Sequence, residues 1–216
     1  MNANTFYQKY GQYIARVQQY SSIRELDYWP YINPGRLDAC IYIPESDLSS
    51  HFMPYGIYYD GYLTGVFYRE GRITYVPLSH GSQPVISFQF SGCFMAKLRF
   101  WGKWFAFHIS TSESSIYDCK AVWNNFLDRH KREISSIVMF KPTDERSLYD
   151  EYIRLYSKGK ATLAGLITED NVCYTLVYDC ITAKVVTAAD LCTDYIRQCS
   201  PHLLCNEQDR SYYSRL

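Results

Sequence analysis

Cys93 and His108 are the two residues of this 216-residue chain whose types and spacing favour chemistry. A cysteine thiolate is a nucleophile, and a nearby histidine can take up the thiol proton as a general base. Both residues flank an aromatic segment that alternates as a strand does and is interrupted at Trp101-Gly102. They can act together only if the strands that carry them place both side chains on one face.

The dipeptide Trp101-Gly102 predicts a two-residue hairpin loop, because glycine at the second position is typical of a type I′ turn. That turn sets the register and pairs Met95 with His108. Cys93 then lies opposite Ser110, one diagonal step from His108. Diagonal neighbours in an antiparallel pair are about 7–8 Å apart at Cα, which is within reach of a thiol and an imidazole.

The two faces of this hairpin differ in composition, because side chains alternate along a strand. The first face is apolar and is assigned to the core: Phe94, Ala96, Leu98, Phe100, Phe105, Phe107 and Ile109. The second face is more polar, and we expect it to be less buried: Cys93, Met95, Lys97, Arg99, Trp104, Ala106, His108 and Ser110. Because cations lower a thiol pKa, Lys97 and Arg99 on this face predict a reactive Cys93 thiolate.

Ser91-Gly92 stands directly before Cys93 and supports a catalytic interpretation of that residue. Glycine lets the backbone approach a substrate closely, and the N–H groups of Gly92 and Cys93 are candidates for an oxyanion hole. We further expect Ser91, Lys97, Arg99 and Trp104 to contact substrate. A cysteine in a strand is otherwise a small hydrophobic core residue, and a lone histidine is usually structural.

The sequence Ser91-Gly92-Cys93 followed by His108 resembles the catalytic segment of the cysteine-dependent glutamine deamidases. This family includes the cytotoxic necrotizing factor catalytic domains, the Burkholderia lethal factor and the chemoreceptor deamidase CheD. The resemblance covers about 25 residues and implies a protein glutamine deamidase, a toxin or secreted effector acting on a host protein. It implies a β-sandwich flanked by helices, and no metal or cofactor.

The resemblance also implies a third site residue, Ser87. In the lethal factor and CheD a threonine six residues before the cysteine orients the histidine, and Ser87 has this position and keeps the hydroxyl. Six residues of straight strand span about 20 Å, so Ser87 joins the site only if the chain turns before Cys93. Ser91-Gly92 is the expected place for that turn.

Two further function classes remain open from the residues. The same Cys-His pair suits a thiol protease or acyl hydrolase. The 22 tyrosines and the 17% aromatic content instead suit a non-catalytic binding protein, such as an immunity protein or regulatory partner. A net charge of +0 gives no long-range attraction to nucleic acid or to anionic membrane.

The pattern along the chain predicts a sheet with helices packed on it, in one domain spanning 1–216. Together with the resemblance, this gives an expected α+β fold, a mainly antiparallel β-sandwich flanked by helices. The predicted helices cover residues 4–20, 120–134, 148–156, and a segment that opens at a capping box of Thr187 with Asp190. A hairpin is predicted for residues 161–178, tight turns for Asp60-Gly61 and Glu70-Gly71, and a flexible tail for residues 206–216.

The eight cysteines are too sparse for a disulfide scaffold and indicate a reducing compartment. Cys192, Cys199, His202 and Cys205 fit no tight zinc motif, so no metal site is predicted. No signal peptide and no membrane span is apparent. We therefore expect a protein made in the cytoplasm that stays there, or is secreted without a cleaved signal and acts in host cytosol on a protein substrate.

Overall fold

The computed structural model describes residues 31–32, 49–59, 63–111, 119–144, 148, 152–154, 161–179 and 184–190. The described strands are β1 (Tyr31–Ile32), β2 (Phe52–Pro54), β3 (Gly56–Tyr59), β4 (Leu63–Val66), β5 (Ile73–Leu78), β6 (Val85–Phe88), β7 (Phe94–Phe100), β8 (Lys103–Ile109), β9 (Ile134–Phe140), β10 (Ala161–Ile167), β11 (Cys173–Asp179) and β12 (Lys184–Asp190). Helix α1 (Cys119–Arg129) connects β8 to β9, and a 3-10 turn (Pro142–Asp144) follows β9.

The strands form two mixed sheets, and the fold is α+β as predicted. One sheet has seven strands in the order β1-β3-β4-β6-β10-β11-β12, and the other has five in the order β2-β5-β8-β7-β9. The pairs β1–β3, β4–β6 and β2–β5 are parallel, whereas the other described pairs are antiparallel. No described helix has the length and apolar character needed to span a bilayer.

The β7–β8 hairpin has the predicted register. Met95 pairs with His108 and Phe100 pairs with Lys103. Trp101 has φ 47° and Gly102 has φ 75°, and a type I′ turn requires positive φ at both loop positions. The turn residues therefore set which side chains of the two strands share a face.

The first face of this hairpin packs against α1, as expected for a core face. Trp123 and Phe126 of the helix are buried in one cluster with Phe100 and Phe107. The rings of Phe107 and Trp123 lie 5.0 Å apart, in a tilted arrangement that suits the quadrupoles of aromatic rings.

The second face is also core over most of its length, and the expectation that it is less buried holds only at Arg99, which is exposed, and Trp104, which is half-buried. Cys93 and Met95 share a buried cluster with Val85 and Leu163 of the other sheet. His108 and Ser110 have no exposed surface. A second sheet covers this face, so the thiol and the imidazole lie in the space between the sheets.

Four other predictions are resolved by the described residues. The hairpin is confirmed as β10 and β11, and the Glu70-Gly71 turn carries a hydrogen bond from Arg72 N–H to Arg69 O at 3.2 Å. The helix at 120–134 ends at Arg129, and β9 begins where its last turn was expected. The capping box is wrong, because residues 184–190 form a strand paired with β11.

Several predictions fall outside the described residues: the helix at 4–20, the turn at Asp60-Gly61, the cysteines and histidine from 192 to 205, and the tail at 206–216. Of the predicted helix at 148–156, residue 148 and residues 152–154 are described, and they are helical.

Candidate active site

Ser87 and Cys93 stand on opposite sheets, because the chain crosses between the sheets after β6. Gln89 takes a left-handed conformation with φ 67°, and its N–H donates to Thr162 Oγ1 at 3.1 Å. A bend at Ser91-Gly92 then leads into β7, at the position predicted for the turn. This crossing lets Ser87 face the hairpin from across the space between the sheets.

The Ser87 hydroxyl joins His108 to the opposite sheet. Ser87 Oγ donates to the carbonyl oxygen of Val66 at 2.5 Å and lies 2.7 Å from His108 Nδ1. A serine hydroxyl has one proton, which is committed to Val66. Ser87 Oγ must therefore accept from the imidazole, so Nδ1 carries the proton and Nε2 has a free lone pair.

His108 Nε2 is buried and makes no hydrogen bond to any described residue. A buried nitrogen without a partner is uncommon, because the desolvation of a polar group then goes uncompensated. The structure therefore holds a neutral imidazole with an unused acceptor. This conformation contains no hydrogen bond from the Cys93 thiol to Nε2.

Two aromatic rings hold the imidazole. Phe90 stacks on His108 at 4.4 Å between centroids with an interplanar angle of 12°. The Tyr68 ring lies 5.3 Å from the imidazole at a 57° tilt. With Ser87 bonded to Nδ1, these contacts restrict both the tilt and the rotation of the ring.

Burial lowers the pKa of His108 from 6.5 to about 3. Burial removes the solvent that would stabilise the charged imidazole, and no carboxylate contributes to this pKa. His108 is therefore neutral at physiological pH, which is the form that a general base requires.

The Cys93 thiol is also neutral at rest, because burial raises its pKa above 9.0. Hydrogen bonds from the Thr111 backbone and side chain, and from the backbone at Ser91 and Cys93, act in the opposite direction and lower it. The same groups would stabilise the negative charge that develops on the sulfur during a reaction. The balance still favours the thiol, so the expected resting thiolate is wrong.

Lys97 and Arg99 do not activate Cys93, and strand geometry gives the reason. At about 3.3 Å per residue they lie roughly 13 Å and 20 Å along β7 from Cys93. The Lys97 ammonium is buried and donates to the carbonyl oxygen of Gln83 at 3.0 Å, and it lies 5.8 Å from the Trp104 ring. The hairpin places Arg99 and Trp104 at the end remote from Cys93 and Lys97 midway along it. Ser91 is exposed beside Cys93.

Four groups at the site were not identified from the sequence: the carbonyl of Val66, the rings of Tyr68 and Phe90, and Thr111. All belong to segments whose approach depends on how the two sheets pack. Thr111 alone had a local signal, since it follows the strand residues opposite Cys93. An added Cβ at Gly92 would lie 3.4 Å from Thr111 Oγ1, so this hydroxyl faces the Ser91-Gly92 bend.

No group of three or more His, Cys, Asp or Glu residues capable of holding a metal ion occurs in the part of the chain that the structure describes. The described site contains a thiol, a neutral imidazole, two hydroxyls and backbone donors. This set of groups suits nucleophilic attack on an acyl carbon followed by proton transfer.

No protein-family model matches this chain, and no curated protein matches it. Among solved structures, the chain is similar to the C-terminal domain of CNFy from Yersinia pseudotuberculosis, at a TM-score of 0.28 and 15% sequence identity. The similarity covers 60% of this chain and 62% of that domain. At this TM-score it does not by itself establish a common fold.

Proposed function

We propose that the protein is a cysteine-dependent protein glutamine deamidase, with Cys93 as nucleophile, His108 as general base and Ser87 as the residue that orients His108. The observation that carries the proposal is the relay from His108 Nδ1–H to Ser87 Oγ and on to Val66 O. It leaves Nε2 as a buried acceptor with no described partner. The motif Ser91-Gly92-Cys93 with a following His108 supports the choice of glutamine as substrate.

The first half-reaction forms a thioester. His108 Nε2 takes the proton of the Cys93 thiol as the sulfur attacks the carboxamide carbon of a substrate glutamine. Because both groups are neutral at rest, this proton transfer accompanies the attack. The carbon–nitrogen bond then breaks, Nε2 returns the proton to the leaving group, and ammonia departs.

The second half-reaction is hydrolysis. A water molecule attacks the thioester as His108 Nε2 takes its proton, and the thiolate leaves with glutamate as product. The proton returns to Cys93, and the enzyme regains its starting state. In both tetrahedral intermediates the oxyanion needs donors. The backbone N–H groups of Gly92 and Cys93 are the predicted ones, and Thr111 is a further donor beside the sulfur.

The experiment compares wild-type protein with Cys93→Ser and Cys173→Ser. Cys173 is buried in the same cluster between the sheets, so its replacement makes the same chemical change away from His108. Each protein is incubated with a lysate of a candidate target cell, and conversion of glutamine to glutamate is mapped by peptide mass spectrometry. Wild type and Cys173→Ser should convert a specific glutamine, whereas Cys93→Ser should not. Equal conversion by Cys93→Ser and wild type would refute the proposal.

A non-catalytic binding protein is the second candidate, and one observation favours it. Cys93 is 3% exposed and His108 is 0% exposed, which is also the environment of core residues. If target binding and toxicity persist in folded Cys93→Ser, the protein acts by binding. Cleaved peptide bonds in place of new glutamates would instead indicate the thiol protease or acyl hydrolase alternative.

The role as a bacterial toxin or effector belongs to the same proposal and rests on the resemblance of the Ser91–His108 segment. In this proposal the chain is made in a bacterial cytoplasm and modifies a host protein. Expression of wild type and of Cys93→Ser inside a host cell tests it, since only an enzyme should lose its effect with the thiol.

A further inference from the structure

The candidate site is closed in this conformation. Ser87 and His108 have no exposed surface, and Phe90 and Cys93 are 1% and 3% exposed. A glutamine side chain can reach the Cys93 sulfur only if a group that covers the site moves. The residue that moves is therefore a determinant of which substrates enter.

Tyr68 differs from the other groups around the imidazole in being partly exposed. Its ring lies 5.3 Å from His108, on a side chain that reaches solvent. Thr74 and Met95, which pair with His108 on the neighbouring strands, are instead fully buried within the five-stranded sheet. Moving either would break the sheet, whereas moving Tyr68 would not.

The backbone around Tyr68 also favours movement. Tyr68 follows β4 and stands in the irregular segment that passes from one sheet to the other before β5. Segments outside the sheet ladders open at lower free energy than core strands do. Tyr68 thus combines a contact with the imidazole with a backbone that can move locally.

Tyr68 packs against the buried cluster that contains Cys93. Burial raises the pKa of the Tyr68 hydroxyl, and negative charge on Cys93 raises it further. The Ser110 side chain lowers the pKa of this hydroxyl, and Ser110 Oγ accepts from Gly71 N–H at 3.2 Å. The ring contact with His108 and the packing of Tyr68 against the cluster that contains Cys93 therefore hold the ring in the closed position.

We propose that Tyr68 is the gate of the site and a substrate-contacting residue, whose ring swings away from His108 and is replaced there by the substrate carboxamide arm. The inference rests on the proposed deamidase function for the identity of the entering group. It assigns to Tyr68 the control of access to Cys93, and so of the size of the side chain admitted.

The test measures alkylation of Cys93 by iodoacetamide in native full-length protein, with labelled peptides quantified by mass spectrometry. The variants are Tyr68→Phe, which removes only the hydroxyl, and Tyr68→Ala, which removes the ring. Trp104→Ala is the matched control, since Trp104 is also half-buried but lies at the remote end of the hairpin. Cys119, which is buried in the cluster around α1, and Cys173, which is buried on β11 in the same cluster as Cys93, are internal controls.

We expect labelling of Cys93 to rise by about tenfold or more in Tyr68→Ala, since local opening controls access to a buried group. Tyr68→Phe keeps the ring and loses only the interaction of the hydroxyl with Ser110, so it should give a smaller rise, about two- to tenfold. Cys119 and Cys173 should label as in wild type in both variants. Trp104→Ala should leave the Cys93 rate unchanged.

The proposal is overturned if Tyr68→Ala labels Cys93 no faster than wild type, or if Cys119 and Cys173 accelerate in parallel with Cys93. Labelling requires no turnover, so it separates this inference from the proposed function. Selective labelling without any glutamine conversion would leave the gate standing and reject the deamidase. Glutamine conversion with unchanged labelling of Cys93 would support the deamidase and reject the gate.

Discussion

Replacement of Ser87 by alanine tests the arrangement on which the proposed chemistry depends. The substitution removes the acceptor that lies 2.7 Å from His108 Nδ1 and the donor to Val66 O. The imidazole is fully buried, so no solvent replaces either contact. Ser87→Ala therefore leaves His108 Nδ1–H without an acceptor, or drives the proton to Nε2, where it blocks the acceptance of the thiol proton.

The expected magnitude follows from the loss of that acceptor. A buried donor left without a partner costs about 1–3 kcal/mol. If this cost destabilises the tautomer with the proton on Nδ1, kcat/KM should fall by about 5- to 150-fold, because about 1.4 kcal/mol corresponds to a factor of ten. Stability should fall by a similar free energy, since Val66 O also loses its donor.

Three measurements distinguish a catalytic loss from a loss of stability. Nitrogen NMR of the imidazole reports the tautomer, urea denaturation reports the free energy of unfolding, and kcat/KM reports turnover. Ser87→Thr keeps the hydroxyl and should restore the tautomer and most of the rate. Thr175→Val is the matched control, because it removes a buried hydroxyl that donates to Pro142 O at 3.0 Å, away from His108.

The Ser87 argument is wrong if folded Ser87→Ala keeps the proton on Nδ1 and turns over at the wild-type rate. It is also wrong if Thr175→Val lowers kcat/KM as much as Ser87→Ala does at equal loss of stability. In either case the hydroxyl would be a structural link between the sheets and would not orient a base.

Three further predictions concern the ionisable groups. Because the pKa of His108 is lowered from 6.5 to about 3, unfolding takes up a proton below pH 6.5. The free energy of unfolding should therefore fall with decreasing pH by up to about 1.4 kcal/mol per pH unit. Urea denaturation at several pH values measures this slope, and the contribution should be absent in His108→Gln. The pKa of Lys97 is lowered from 10.5 to about 8 by burial, so its destabilising effect should diminish above pH 8. Lys97→Met should be more stable than wild type at pH 7, and the difference in the free energy of unfolding should shrink as pH rises. Alkylation of Cys93 should be unchanged. A difference in stability that stays constant with pH would contradict this prediction. Thr111→Val removes a donor to the sulfur and should raise the pKa of Cys93 further, so that a pH series of alkylation rates shifts to higher pH; an unshifted series would show that the backbone donors suffice.

The hairpin and its register follow from local sequence alone. Trp101 and Gly102 both adopt positive φ, which gives a two-residue turn the twist that matches its flanking strands. Once this turn sets the register, the alternation of side chains along each strand assigns every residue to one face. The pairing of Met95 with His108 was predictable for this reason. The β10–β11 hairpin was predictable in the same way, since a polar turn separates two alternating segments.

Sequence pattern failed where partners are distant along the chain. The box at Thr187 and Asp190 satisfies the chemistry of a helix N-terminus, yet the open edge of β11 offers backbone hydrogen bonds that a strand can use. Local propensity cannot weigh that alternative, because the edge exists only after the sheet has formed. The same limit applies to the end of α1, where pairing of β9 with β7 takes over from helical periodicity.

The candidate site shows the same difference between what local sequence predicts and what long-range packing decides. The sequence by itself determined that Cys93 and His108 share one face of a hairpin, and the resemblance to the glutamine deamidases pointed to Ser87. Tertiary structure decided that this face is enclosed by a second sheet. That enclosure brings Ser87 to His108 and fixes the tautomer, and it raises the pKa of the thiol although two cations share its strand. Local periodicity specifies which side chains lie together on a face, whereas solvent exposure and pKa depend on what packs against that face.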